Sequence, residues 1–147
     1  MSKLIWLILL FPLAANGEFL QLSKLDFGEI VLTDNSFSSE LRLMPDGTYQ
    51  VTGNIYVITD PEPAHFSVSN AKKNALLSFS DNTPVFISQP DNALFSLKEL
   101  NYPTNVITDD FGNATFSVGG VLKSSGDDKN INSDSIYNLK YRLRVNY

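Results

Sequence analysis

Turn-forming residues interrupt this chain at short intervals, and this regularity constrains the fold more than any other feature of the sequence. The turn clusters lie at residues 33–35, 45–47, 60–63, 81–84, 89–92, 102–103, 109–113 and 124–135. Between them lie short runs rich in Val, Ile, Phe, Tyr and Thr, which favour strands. Strands separated by turns about every 8–12 residues are typical of an all-β sandwich or barrel. After residue 17, no window keeps a helical period.

The clearest hairpin is predicted at residues 39–58. Leu41 and Leu43 alternate with Arg42, residues 45–47 (Pro-Asp-Gly) form the turn, and alternation resumes at residues 49–57. Proline presets the backbone at the first turn position and glycine tolerates a positive φ, so this turn has a physical basis. Gly53 lies on the apolar face of the return strand, which predicts a bulge or a close neighbour there.

Further strands are predicted along the rest of the chain. Residues 64–69 alternate between apolar and polar, and so do residues 114–120, whereas residues 76–79 and 85–87 are apolar on both sides. Residues 93–100 form another predicted strand. No domain boundary or internal repeat interrupts the series, so the sequence predicts a single domain.

The last residues alternate completely. Leu139, Tyr141, Leu143, Val145 and Tyr147 point one way, and the polar residues Lys140, Arg142, Arg144 and Asn146 point the other. Such a strand can close a sandwich, pair with the next subunit of a fibre, or end an outer-membrane barrel. A membrane barrel needs strands of about 9–11 residues. Only residues 48–58 and 139–147 are that long, so a sandwich whose last strand faces the core is favoured.

The first 17 residues have the three parts of a secretory signal peptide. Lys3 supplies the positive charge, residues 4–13 are apolar, and residues 14–17 (Ala-Ala-Asn-Gly) provide small residues for cleavage after Gly17. About ten apolar residues span only about 15 Å as a helix, roughly half of a bilayer core. We therefore expect export, with residues 1–17 removed and residues 18–147 forming one domain.

Charge and cysteine content exclude several classes of function. The chain has a net charge of −5, which becomes −6 without the leader because Lys3 is its only charged residue. Nucleic acids require clustered Lys and Arg, and the main basic cluster here is a solvated strand face at Lys140, Arg142 and Arg144. The chain has no cysteine, which excludes disulfides, thiol catalysis and thiolate metal sites.

Candidate chemistry is sparse. His65 is the only histidine, and its neighbours on the same strand face are Ser67 and Ser69. Residues two apart on a strand lie about 7 Å apart, too far for direct proton transfer, so His65 is predicted to be a polar, outward-facing strand residue. Two acidic loops, residues 109–113 and 126–134, carry oxygen ligands but do not fit the calcium-binding EF-hand pattern. We predict no catalytic residue, no metal site, no cofactor and no enzymatic activity.

Five motifs in order resemble a known bacterial family. They are Leu-Asp-Phe-Gly-Glu-Ile-Val at residues 25–31, Pro-Asp-Gly at 45–47, Ala-His-Phe-Ser-Val at 64–68, Phe-Ser-Val-Gly-Gly-Val-Leu at 116–122 and Val-Asn-Tyr at 145–147. In this order and at this spacing the chain is similar to the family catalogued as domain of unknown function 4402. The segment at residues 125–135 departs from the pattern, because it is more acidic and richer in asparagine than the Gly-Thr-Tyr turn expected there.

The resemblance implies an immunoglobulin-like β-sandwich related to bacterial adhesins and pilin subunits, and it implies no catalytic residue. We therefore expect an exported structural or adhesive surface protein, of the pilin-like kind, in the periplasm or at the surface of a Gram-negative cell. Its expected partners are other subunits or a periplasmic chaperone, through strand addition, and a host or cell-surface ligand. Only residues 18–24 precede the first predicted strand, which is short for a donor arm. The alternatives are a monomeric periplasmic module for a small ligand or carbohydrate, and a small outer-membrane barrel.

Overall fold

The computed structural model describes residues 17–86, 94–128 and 140–147, and the predicted all-β class is confirmed: these residues form strands and turns without a helix. None of them lies in a helix that is long and apolar enough to cross a membrane. The predicted signal peptide lies outside the described residues except for Gly17. The strands are β1 (Glu18–Ser23), β2 (Ile30–Leu32), β3 (Glu40–Leu43), β4 (Tyr49–Thr52), β5 (Ile55–Val57), β6 (Ala64–Ser69), β7 (Ser78–Asp81), β8 (Val85–Phe86), β9 (Phe95–Asn101), β10 (Ala114–Ser124) and β11 (Leu143–Asn146).

A seven-stranded antiparallel sheet forms the larger layer. Strands β1, β6, β10, β3 and β4 are neighbours in that order, while β9 also pairs with β10 and β8 pairs with β9. Strand β10 is long enough to pair with different strands along its length. Its residues 114–118 pair with β6, and its residues 119–124 pair with β9, with β3 along the other edge. The sheet is therefore organised around β10.

Two small antiparallel sheets, β7–β11 and β2–β5, cover the inner face of the larger layer. The first encloses a core cluster that includes Phe66 and Phe116, with Phe79 of β7 and Val145 of β11 packed against it. The second encloses a cluster of Leu32, Leu41, Ile55, Phe95 and Leu122. Apolar side chains meet between two layers of antiparallel strands, so the described residues form a β-sandwich.

Two glycines lie where the chain changes direction or changes neighbours, and a side chain at either position would clash with nearby atoms. Gly53 has a φ of +91°, and a Cβ at this position would clash with the hydroxyl of Ser39. It stands between β4 and β5, where the chain leaves the larger sheet and enters the β2–β5 sheet. A Cβ at Gly119 would collide with the carbonyl oxygen of Leu43, at the point where β10 changes neighbours. The close neighbour predicted at Gly53 is confirmed.

Most of the predicted strands are present, and several boundaries differ from those predicted. The alternation of residues 64–69 is confirmed, since Ala64, Phe66 and Val68 are buried in β6. The predicted return strand at residues 49–57 is divided into β4 and β5 by the corner at Gly53. The last strand is shorter than predicted, because β11 covers only Leu143–Asn146, although Tyr141, Leu143 and Val145 do pack against the core.

The prediction that residues 18–24 precede the first strand was wrong. Residues 18–23, expected to precede the sheet, form β1 against β6, and residues 25–29 are irregular apart from a bridge between Asp26 and Glu62. The bulge between Gln21 and Ser23 obscures the alternation of β1 in the sequence. Gly28 has a φ of +71° and its amide donates to the Asp26 carboxylate, which closes a turn where a strand was expected.

Candidate functional site

His65 points outward from β6, as predicted from the sequence, and it contacts a serine that sequence reasoning did not identify. Its Nδ1 lies 2.7 Å from Oγ of Ser117, the residue directly opposite on β10. Ser67, in contrast, lies opposite Thr115. The partner of His65 depends on the register between strands about 50 residues apart in the chain, and nothing in the local sequence specifies that register.

The His65–Ser117 pair lacks two elements that a serine nucleophile normally requires. In the described part of the chain no carboxylate hydrogen-bonds to His65, so no third group orients the ring. The pair also lies on an exposed sheet face, where the main-chain amides of paired strands already have partners and no oxyanion hole is apparent. The backbone amide of His65 itself donates to Oγ of Ser23. We interpret the pair as part of a hydroxyl-rich surface.

The acidic loop at residues 109–113 uses its first carboxylate to close a turn. Oδ1 of Asp109 accepts hydrogen bonds from the amides of Phe111 and Asn113, at 2.8 and 2.9 Å, and Oδ1 of Asp110 accepts one from Asn74. Of the second loop, residues 126–128 are described and residues 129–134 lie outside the described part. Among the described residues, no three His, Asp or Glu side chains are grouped closely enough to hold a metal ion.

The basic face predicted at the end of the chain is solvent-exposed. Lys140, Arg142 and Arg144 are all exposed. The Arg142 amide donates to Oδ1 of Asn82 at 2.7 Å, which ties the start of this segment to the loop after β7. The two ion pairs within the described ranges involve other residues, Arg42 with Glu99 and Lys98 with Glu40.

The aromatic side chains divide into a core stack and isolated exposed rings. Phe19, Phe66, Phe116, Phe79 and Tyr102 form the ring pairs found among the described residues. Four other rings are more than 60% exposed and belong to separate loops or strands: Phe37, Tyr56, Phe86 and Phe111. The described surface therefore presents no stacked aromatic platform for an extended sugar chain.

Strand β1 is an open edge of the larger sheet. Within the described residues it pairs only with β6, and all six of its residues are exposed. Phe19 provides its main contact with the interior, stacking on Phe66 with ring centroids 5.1 Å apart and lying 6.1 Å from the ring of Phe116. Leu20 and Leu22 are each 59% exposed. Edge strands that expose apolar residues are available for pairing with another chain.

The chain pairs again just beyond β1. Asp26 and Glu62 exchange two backbone hydrogen bonds, at 3.0 and 2.7 Å, just beyond the strand. Between this bridge and β1 lie only Lys24 and Leu25. Strand β1 is therefore separated from the next backbone pairing by two residues, of which Leu25 packs against the core cluster.

The last strand approaches the first across the sandwich. Strand β11 pairs only with β7 in the described structure. The ring of Tyr147 lies directly over Gly17, where a side chain would clash with it. Burial raises the pKa of the Tyr141 phenol, and the neighbouring Gln21 side chain of β1 acts in the opposite direction. The last residues of the chain therefore lie against Gly17 and against Gln21 of β1.

Comparison with known proteins identifies the family of the chain. No curated protein and no solved structure matches it. One family model, described as Domain of unknown function (DUF4402), matches residues 19–147, a range that begins within β1 and ends at the last residue. That range includes the five motifs on which the resemblance was based, and so the chain belongs to the DUF4402 family.

Proposed function

We propose that this protein is an exported structural or adhesive subunit of a Gram-negative cell surface, of the pilin-like kind, that acts without catalysis and assembles by strand addition. The observation that carries the proposal is β1, an edge strand of the described sheet at the start of the domain. Within the described residues its backbone pairs with β6 alone, and Phe19 stacks on Phe66 and Phe116. The leader-like residues 1–17 and the absence of cysteine support export and assembly without disulfides.

Assembly would exchange β1 between copies. If β1 of one copy pairs with β6 of the next, the same backbone hydrogen bonds form and Phe19 stacks on the same two rings, Phe66 and Phe116. The exchanged and closed forms then differ mainly in the conformation of Lys24 and Leu25 and in the entropy of association. A periplasmic chaperone would act on the same elements by supplying a strand to an edge that is still unpaired.

Because the chain has no native cysteine, engineered cysteines can report strand exchange directly. Leu20 of β1 lies opposite Ser67 of β6, a spacing that suits a disulfide. We would mix the single variants Leu20→Cys and Ser67→Cys under mild oxidation and resolve the products on a non-reducing gel. Exchange predicts a covalent heterodimer of the two variants. In the matched control, Ser80→Cys replaces Ser67→Cys, and no heterodimer is expected because Ser80 lies on β7.

A locked variant tests whether assembly in cells depends on this exchange. With both cysteines in one chain, Leu20→Cys and Ser67→Cys, oxidation should fix β1 to its own β6. An immunoblot of surface fractions from the native host, run in SDS without boiling, should show a ladder of multimers for the wild type and a single band for the locked variant. A soluble wild-type monomer would overturn the proposal, and so would an undiminished ladder from the locked variant.

A further inference from the structure

A shallow cleft lies where β8, β9 and the end of β10 meet, and none of its lining residues takes part in the Phe19 contact. It has a volume of about 260 Å³ and is lined by Phe86, Phe95, Ser96, Lys123, Ser124 and Ser125. The strand register explains how these residues meet. Phe86 of β8 lies opposite Ser96 of β9, and Ser96 lies opposite Lys123 of β10. The three residues form one row across neighbouring strands, where opposite side chains are about 5 Å apart.

Lys123 has no acidic partner among the described residues, in contrast to the other two cations on this part of the sheet. Arg42 is held by Glu99 at 2.8 Å, and Lys98 is held by Glu40 at 2.7 Å. Glu40 is also the residue opposite Lys123 on β3, so the nearest carboxylate in the row is already engaged by Lys98. The ammonium group of Lys123 is therefore solvated and free to pair with an anion in the cleft.

Of the three serine hydroxyls in the cleft, two form hydrogen bonds within the described residues and one does not. Oγ of Ser124 accepts a hydrogen bond from the Ser39 amide at 2.7 Å. Oγ of Ser125 accepts one from Asn35 and donates one to Asp127. The hydroxyl of Ser96 has no side-chain hydrogen bond within the described residues. One cation and one hydroxyl are thus available in the cleft, beside the Phe86 ring, which is 70% exposed.

We propose that this cleft binds a single carboxylate-bearing sugar ring, a hexuronic acid residue. The Lys123 ammonium would pair with the sugar carboxylate, the Ser96 hydroxyl would bind a ring hydroxyl, and the Phe86 face would cover the apolar face of the pyranose. The cleft is too small for an extended chain, which agrees with the absence of an aromatic platform from the described surface. Binding at this site does not require exchange of β1, so each proposal can fail without the other.

The test is an NMR titration of the purified, isotopically labelled protein with methyl β-D-glucuronide. We expect saturable amide shifts at Ser96, Lys123 and Ser125 with a dissociation constant in the millimolar range, and no saturable shift with the neutral methyl β-D-glucoside. Lys123→Gln should weaken binding at least about tenfold, and Phe86→Ala should weaken it several-fold. The matched control Lys72→Gln, an exposed lysine far from the cleft, should leave the affinity unchanged.

Three results would overturn the proposal. The first is the absence of saturation with the glucuronide, and the second is an unchanged affinity in Lys123→Gln. The third is binding of sodium acetate as tight as that of the glucuronide, which would mean that a bare carboxylate occupies the cleft and that the sugar ring contributes nothing. Thermal unfolding of each variant, with a midpoint close to that of the wild type, would confirm that lost binding is not lost folding.

Discussion

Phe19 stacks on Phe66 with the two ring centroids 5.1 Å apart, although Phe19 belongs to a strand whose six residues are all exposed. We expect Phe19→Ala to lower the free energy of unfolding by about 2 kcal/mol, because it removes a partly buried ring and its aromatic contacts. Leu20→Ala is the matched control on the outer side of the same strand, with an expected effect within about 0.5 kcal/mol. Urea denaturation measures both values, and equal losses would show that Phe19 does not anchor β1.

The side chain of Asn35, in the loop after β2, forms hydrogen bonds with residues 125–127, which follow β10. It is 2% exposed, its Nδ2 donates to Oγ of Ser125 and Oδ1 of Asp127, and its Oδ1 accepts from the Gly126 amide at 2.9 Å. We expect Asn35→Ala to cost about 2–3 kcal/mol, because several polar groups around a buried site lose their partners together. The effect is again measured by urea denaturation.

Asn54→Ala is the matched control for this substitution. The backbone amide of Asn54 bonds to Oγ of Ser39, and its carbonyl accepts from Thr33, while its side chain has no hydrogen bond within the described residues. It should therefore remain within about 0.5 kcal/mol of the wild type. If Asn54→Ala lost as much stability as Asn35→Ala, the hydrogen bonds of the Asn35 side chain would not be the specific cause of the loss.

Thr108 connects two loops through a buried hydroxyl. Its Oγ1 donates to the Lys72 carbonyl at 2.6 Å and accepts from the Ala75 amide at 2.8 Å. Thr108→Val keeps the volume of the side chain and removes both bonds, so we expect a loss of about 1–3 kcal/mol. Thr115→Val, on the exposed face of β10, should be nearly neutral because valine suits a strand. Thermal unfolding of both variants would separate them, and coincident melting curves would contradict this role for Thr108.

Asp46 should make the turn between β3 and β4 sensitive to acid. Hydrogen bonds from the hydroxyl and the amide of Thr48, at 2.6 and 2.9 Å, hold the pKa of Asp46 below its usual value of 3.8. A carboxyl with a lowered folded pKa stabilises the fold above its unfolded pKa, and the effect disappears as pH falls through the folded value.

The Asp46→Asn variant should therefore be less stable than the wild type near neutral pH, and the difference in Tm should shrink steadily below about pH 4. Scanning calorimetry between pH 2 and pH 7 would measure the difference. A constant difference over this range would show that the ionised carboxylate is not the source of the stabilisation.

The sequence was sufficient to predict the parts of this fold that depend on local chemistry. Residues 64–69 alternate regularly, and Pro45, Asp46 and Gly47 have the conformational preferences of a turn, so both features were predictable. The outward position of His65 followed from the same alternation. The close neighbour of Gly53 was also predictable, because a glycine on the apolar face of a strand indicates a close approach.

Features that depend on pairing between distant strands were not predictable in this way. The contact of His65 with Ser117 and the row of Phe86, Ser96 and Lys123 require registers that no local pattern specifies. Strand β1 was missed because its bulge breaks the alternation and because its outer side exposes two leucines. One signal was nonetheless available: residues 19–22 carry three large apolar side chains, which is unusual for an unpaired extension.

Strand β10 runs through both core clusters, with Phe116 and Val118 in one and Leu122 in the other. Both core clusters consequently depend on the same strand, so one cluster cannot unfold while the other keeps all of its contacts. Unfolding should follow one all-or-none transition for fluorescence, circular dichroism and calorimetry alike. Under the proposed export and assembly, each molecule would then either fold completely or be degraded, and no half-folded form would accumulate.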